Sequence, residues 1–182
     1  MNLLKEYDYV LFRLVHHFRT PNLDGIFYVI TTSGLGHVQL FMALPLLCWK
    51  QTRSLFWLLL PCVAVAGLLA PLLKRLFPRD RPSMLYDSDP MELIRFGSFP
   101  SGHTTTSFAI ATVVFLALRN TKYKWISAIV FVWAALVGIS RIYVGVHWPT
   151  DVLGGALLGS GVSAMMYAWL APKILGSQSE AS

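Results

Sequence analysis

Four stretches of this sequence, residues 54–73, 101–118, 125–139 and 152–170, are almost uninterruptedly apolar, and they approach the ~20 residues a helix needs to cross ~30 Å of hydrocarbon. A fifth stretch, 23–49, is long enough to span, but Gly34, Gly36 and Pro45 interrupt it, which predicts one broken or kinked helix. The bulk numbers agree: 55% of the 182 residues are apolar and 13% are charged, with a mean hydropathy of +0.56. Such a chain folds with lipid as its main solvent. The expected architecture is all-α: a polytopic membrane helical bundle of five transmembrane helices, forming one domain over residues 1–182.

Residues 1–20 follow a different pattern. Leu3, Leu4, Tyr7, Leu11, Leu14, Val15 and Phe18 recur at helical spacing, while Lys5, Glu6, Asp8, Arg13 and His17 fill the other face. This predicts an interfacial amphipathic helix that lies on a membrane. Charges fall among its apolar residues and no small-residue cleavage site follows, so it does not read as a signal peptide and is expected to be retained. At the other end, 175–182 is Ser-rich and is expected to form a disordered tail. Cys48 and Cys62 both fall in expected spans and read as small apolar fillers. The net charge of +6 comes from no basic stripe interleaved with aromatics, which excludes a nucleic-acid partner and leaves membrane lipids.

Five spans put two short basic loops, 50–53 and 119–124, on the same side as the C-terminus. That side carries Lys50, Arg53, Arg119, Lys122, Lys124 and Lys173, six of the 15 Lys and Arg; the other side carries nine. Of those nine, Lys74, Arg75, Arg79, Arg81, Arg95 and Arg141 cluster beside a candidate site, where chemistry outweighs topology. The positive-inside rule is therefore read from the short loops, which places the C-terminus inside and the long polar segment 74–100 outside.

Three polar islands sit at the outer ends of the apolar helices: Lys74-x6-Arg81-Pro82, Pro100-Ser101-Gly102-His103, and Ser140-Arg141-x5-His147-x3-Asp151. Taken singly, each has an ordinary reading. Lys74 and Arg81 read as flanking residues that snorkel to headgroups, and Arg75, Arg79 and Arg95 keep that reading. Ser101 reads as an N-cap, and His147 with Asp151 as a structural pair. Trp148 and Pro149 read as an interface aromatic and a helix-start proline.

Taken together, the islands supply what phosphoryl transfer to an enzyme side chain needs. Lys74, Arg81 and Arg141 offer positive charge and donors to phosphate oxygens. The amides of Gly102 and His103, at a helix start capped by Ser101, add the favourable end of a helix dipole. His147 suits a nucleophile whose second ring nitrogen is held by Asp151. His103 suits the group that protonates the leaving oxygen and later deprotonates water. No metal and no other cofactor is expected, because three cations already face the phosphate.

In all three parts, with order and spacing intact over about 70–160, these residues resemble the signature of the type 2 phosphatidic acid phosphatases. The resemblance implies a metal-independent phosphatase with a phosphohistidine on His147, oriented by Asp151, and with His103 as acid and base. It also implies phosphate binding by Lys74, Arg81, Ser101, Gly102 and Arg141, and a site facing away from the cytoplasm. Vanadium haloperoxidases share the signature on a soluble fold, which the spans here disfavour.

The expected activity is hydrolysis of a lipid mono- or diphosphate in a bacterial inner membrane. Undecaprenyl diphosphate and phosphatidylglycerophosphate are preferred over phosphatidic acid and lipid A 1-phosphate, because the short chain resembles compact bacterial members. Two rivals stand beside it, a lipid-to-lipid phosphotransferase and a non-catalytic lipid-binding or transport protein. Of the other histidines, His16 and His17 belong to the first helix. His37 lies at membrane depth and is expected to bond a carbonyl freed at the Gly34 break. Gly155-x-x-x-Gly159, with Gly154, Ala156 and Gly161, offers a small-residue face, first for packing within the chain and second for a dimer; monomer and homodimer both remain open.

Overall fold

The structure is a computed structural model and describes residues 3–84, 90–92, 94 and 97–179, with side chains described to residue 175. Arg95 lies outside the described residues. Those described form seven α-helices and no strand: α1 (Leu3–His17), α2 (Pro21–Ser33), α3 (Gly36–Ala43), α4 (Lys50–Leu76), α5 (Gly102–Leu118), α6 (Trp125–Tyr143) and α7 (Pro149–Ser179). Three of these, α4, α6 and α7 as far as Leu175, are long and apolar enough to cross a membrane. A fourth span results if α2 and the segment from Gly36 to Cys48 count as one. Helix α5 is apolar but has 17 residues, about 25 Å at the usual rise.

The expected break in the first apolar stretch falls at Gly34, where the chain bends by 71°. Gly34 is needed there because a Cβ would come within 2.6 Å of the Val137 side chain on α6 and 3.1 Å of the His103 ring. Pro45 then opens a 3₁₀ turn over Leu44–Cys48. His37 does not bond a carbonyl at this break. It is exposed and has no hydrogen bond to a described residue; Gln39 is the buried polar group, donating from Nε2 to Ser107 Oγ at 2.9 Å. The reason is the bend itself, which turns the start of α3 outward.

Helix α5 is the centre of the bundle, packed against α7, α6 and α4. Lipid tails are as apolar as leucine, so burial of apolar surface does not drive these contacts; close approach of small residues does. At the seam with α7, a Cβ on Gly155 would come 2.6 Å from the Ser101 carbonyl, and one on Gly159 would come 2.0 Å from that of Thr105. The glycine face thus packs within the chain, although Gly161 faces open space. Further along, Leu58, Leu59 and Cys62 of α4 meet Val113 and Val114 of α5 and Ala171 of α7. Cys62 is buried filler there, while Cys48 is exposed.

Helix α1 packs on α6 and α7, with a face the amphipathic pattern did not single out. Phe12 and Asp8 are buried, while Leu3, Leu4, Tyr7, Leu11, Leu14 and Phe18 are exposed. The apolar stripe points away from the protein, and Asp8, expected on the polar face, points into it. At the C-terminus α7 continues to Ser179, into the segment expected to be a tail.

Candidate active site

The first island hangs on the end of α4, where Lys74 follows a long apolar run and points past the last turn. Its Nζ uses all three donors on backbone carbonyls, those of Gly97 (3.1 Å), Ser98 (2.9 Å) and Pro100 (2.6 Å). Lys74 thereby clamps the loop that leads into α5. Five residues past α4, Arg81 is buried and donates to the carbonyls of Val146 (2.8 Å) and Gly97 (3.1 Å). It also donates to Nε2 of His147 at 3.2 Å. The cations therefore bind the chain segments that form the cleft.

Ser101 occupies the N-cap position of α5, but its side chain makes no capping hydrogen bond. Its Oγ instead accepts from Thr104 Oγ1 at 2.9 Å, and its amide donates to the Asp151 carbonyl at 3.0 Å, joining the starts of α5 and α7. The cap differs from expectation because this tie between helices turns the backbone so that the hydroxyl meets Thr104. A Cβ placed on Gly102 would meet nothing within 4 Å, so there is room above this helix start. His103, on the first turn of α5, has no hydrogen bond to a described residue, and Arg141, His147, Arg81 and Lys74 all act on it electrostatically.

His147 and Asp151 lie across the sharp turn between α6 and α7. Gly145 makes that turn with φ +84°, a conformation that favours glycine. His147 Nδ1 is 3.4 Å from Asp151 Oδ2, and both side chains are buried. Because arginine only donates, the Arg81 contact requires a lone pair on Nε2 and places the hydrogen on Nδ1, facing the carboxylate. Burial first, then Arg81, Arg141 and Lys74, hold the His147 imidazole well below its usual range. It is therefore neutral at neutral pH and has an unshared pair on Nε2. Burial and then Arg141 lower Arg81 to about 10, still a cation.

Arg141 is almost wholly buried at the end of α6 and meets the Glu92 carboxylate through both terminal nitrogens, at 3.1 and 2.9 Å. Its Nε is buried with no hydrogen-bond partner among the described residues. Three residues around the cleft escaped sequence reasoning. Glu92 is one. The other two are Arg79, expected to snorkel, and Asp8. Arg79 donates to Asp151 Oδ1 at 2.7 Å and also pairs with Asp8. A signal for Asp8 existed in the i, i+4 spacing of Asp8 and Phe12, which puts both on one helical face. Arg75 stays exposed, as expected of a flanking residue. Trp148 donates from its ring to the Asp80 carbonyl at 2.8 Å and has Arg79 stacked over it, the structural role expected of it.

All eight residues of the three islands that the sequence singles out thus converge at one end of the bundle. The chain matches the model of the PAP2 superfamily over residues 55–174. It is 33% identical over 160 residues to an undecaprenyl-diphosphatase of Sulfolobus acidocaldarius, covering 84% of this chain and 73% of that one. Among solved structures it is similar to LpxE of Aquifex aeolicus, with a TM-score of 0.77 and 34% identity over 87% of this chain and 93% of that one. It is also similar to a PAP2-type phosphatidylglycerolphosphate phosphatase of Bacillus subtilis, with a TM-score of 0.80 and 28% identity over 93% and 87%.

Proposed function

This chain belongs to the PAP2 superfamily, and we propose that it is a membrane enzyme that removes phosphate from a lipid mono- or diphosphate through a phosphohistidine. The observation that carries this reading is a neutral, buried imidazole with its lone pair toward Arg81, with Arg141 and Lys74 acting on it electrostatically, and with its other nitrogen toward a buried carboxylate.

The proposed steps use the side chains where they stand. An incoming phosphate draws Arg81 off Nε2, and the freed lone pair attacks phosphorus. A P–N bond forms as the bond from phosphorus to the lipid oxygen, or to the bridging oxygen of a diphosphate, breaks. The leaving oxygen takes a proton from His103. Asp151 supports the positive charge that develops on His147. Water, deprotonated by His103, then breaks the P–N bond and releases phosphate. Arg81 and Arg141 stabilise the charge on the phosphoryl oxygens, Arg141 by leaving Glu92. Lys74 contributes its charge while it holds the loop, and Ser101 and Gly102 contribute the helix start.

In this reading α5 also crosses the membrane, as the third of five transmembrane helices, and α1 is the interfacial one. The outward apolar stripe of α1 supports that role, since lipid is the partner such a face needs. The membrane is a bacterial inner membrane, with the short basic loops in the cytoplasm and the cleft facing the periplasm or exterior. Undecaprenyl diphosphate and phosphatidylglycerophosphate are the preferred substrates. They are supported by the activities of the Sulfolobus acidocaldarius relative and the Bacillus subtilis structural neighbour.

The test is phosphate release by purified protein from undecaprenyl diphosphate, phosphatidylglycerophosphate, phosphatidic acid and lipid A 1-phosphate, with and without an acceptor lipid. Release without acceptor is expected, abolished in His147→Ala and unchanged by EDTA. Release that requires the acceptor marks a phosphotransferase, and none from any lipid sinks the enzyme reading.

A further inference from the structure

We infer that Asp8 and Arg79 are positioning residues that hold Asp151 against His147 and make helix α1 part of the active site. This inference rests on the roles proposed above for His147 and Asp151. Asp151 is fully buried, and an unpaired buried carboxylate is strongly disfavoured. Its Oδ2 receives the Trp148 amide at 2.9 Å and faces His147, while its Oδ1 receives Arg79 Nη1 at 2.7 Å. Arg79 is thus the cation that compensates the carboxylate, and it does so through the oxygen His147 does not use.

Arg79 is itself held from outside the three islands. Its Nη2 pairs with Asp8 Oδ2, and its guanidinium lies over the Trp148 ring, 5.6 Å from the ring centroid. Asp8, 2% exposed on α1, completes the arrangement with its other oxygen, which accepts the Thr150 amide at 2.9 Å. The residue before α7 is Trp148, whose side chain carries no oxygen; Asp151 Oδ2 takes the Trp148 amide, and the Thr150 amide is capped from α1 by Asp8. Thr150 Oγ1 closes the ring, accepting from Arg79 Nη1 at 2.7 Å and donating to Asp8. Phe12, one turn beyond Asp8, meets the Trp148 ring edge-on at 5.5 Å. Each bond in this network bears on the turn that carries Asp151.

A plain brace for α1 would use the same contacts, so the test must separate positioning from folding. In full-length protein in detergent, Arg79→Gln and Asp8→Asn are expected to lower kcat by about 10- to 100-fold, as outer-shell partners of a functional histidine do, with KM changed little. Arg79→Lys keeps the charge and restores part of kcat. Thr150→Val keeps both charges and costs less than either.

The acid limb of kcat/KM separates the two ideas further. The other charged or titratable groups facing the dyad, Lys74, Arg81, Arg141 and His103, are untouched in these variants. Arg79→Gln removes a cation and moves the limb up, whereas Asp8→Asn removes an anion and moves it down. The titration of His147, followed by NMR on histidine-labelled protein, gives the same reading without turnover. It therefore decides this inference even if no lipid is hydrolysed, which would sink only the proposed function. Opposite displacements in variants with unchanged size-exclusion profiles establish positioning. Wild-type kcat and an unmoved His147 titration in both, or in Thr150→Val and Arg79→Lys should the first two fail to fold, overturn it.

Discussion

Helix α1 separates apolar from polar residues more sharply than any other helix here, and it turns its apolar stripe away from the protein. Helix α5 shows almost no such separation and is packed on three sides, burying Thr104, Thr105, Ser107 and Thr112 along with Ala109, Ala111 and Val113. Both reach the cleft, α5 through His103 from within and α1 through Asp8 from its flank. The difference follows from the solvent. In water an apolar stripe marks the inward face, but in a bilayer the outside is apolar too. Inward faces are then marked by small residues and by polar groups that find partners.

If α5 is packed by close approach, the severest way to break the contrast is Gly159→Val. A side chain there meets the Thr105 backbone, which has no rotamer to give way. Loss of monodisperse protein on size exclusion is expected, and a well-folded variant would show that the seam tolerates separation. His103→Gln on the same helix should leave the fold intact and lower kcat by about 10²- to 10⁴-fold, the usual share of a general acid and base. Wild-type turnover would remove His103 from the mechanism.

Between the two helices lies His147, whose lowered range has a definite sign. The folded state binds this proton less readily than the unfolded chain. The stability it contributes is present above the ordinary histidine value and is lost as pH falls through the folded one. The acid limb of kcat/KM for the wild type should accordingly lie below pH about 6.5. A limb at or above that value would contradict the neutral, cation-surrounded imidazole.

The smallest effect is expected on the outer face of α1. Leu11→Ser exposes no cavity and touches no cleft residue, so kcat in detergent should be unchanged. With substrate in vesicles the apparent KM should rise by no more than about 10-fold, since full burial of such a side chain is worth about 1.5–3 kcal/mol and Leu11 has only 47% of its surface to place in lipid. An unchanged KM in vesicles would mean that the stripe does not rest on lipid.

The three islands were legible because phosphate chemistry demands particular residue types, and because counting spans brings 74–81, 100–103 and 140–151 to one end. The break at Gly34 and the close seam at Gly155 and Gly159 were legible for similar reasons, each being a backbone constraint that only small residues meet. Less could be read of how each cation is used. Lys74 holds three carbonyls of its own loop, and Glu92 sits on Arg141. Neither follows from spacing, since the partners are 23 to 49 residues apart in sequence and no helical or strand period links them.

What the sequence determined by itself was the solvent, the helical class and the set of polar side chains that meet at one end of the bundle, because apolar run length and residue chemistry are local properties. Tertiary structure alone decided which way each helix faces and what holds the reactive groups still. Arg79 and Asp8 show the reason. A charged residue near a membrane surface can reach water or a buried partner with equal ease in sequence terms. Only the packing of α1 against the start of α7 makes Asp8 a cap and Arg79 the counterion of Asp151.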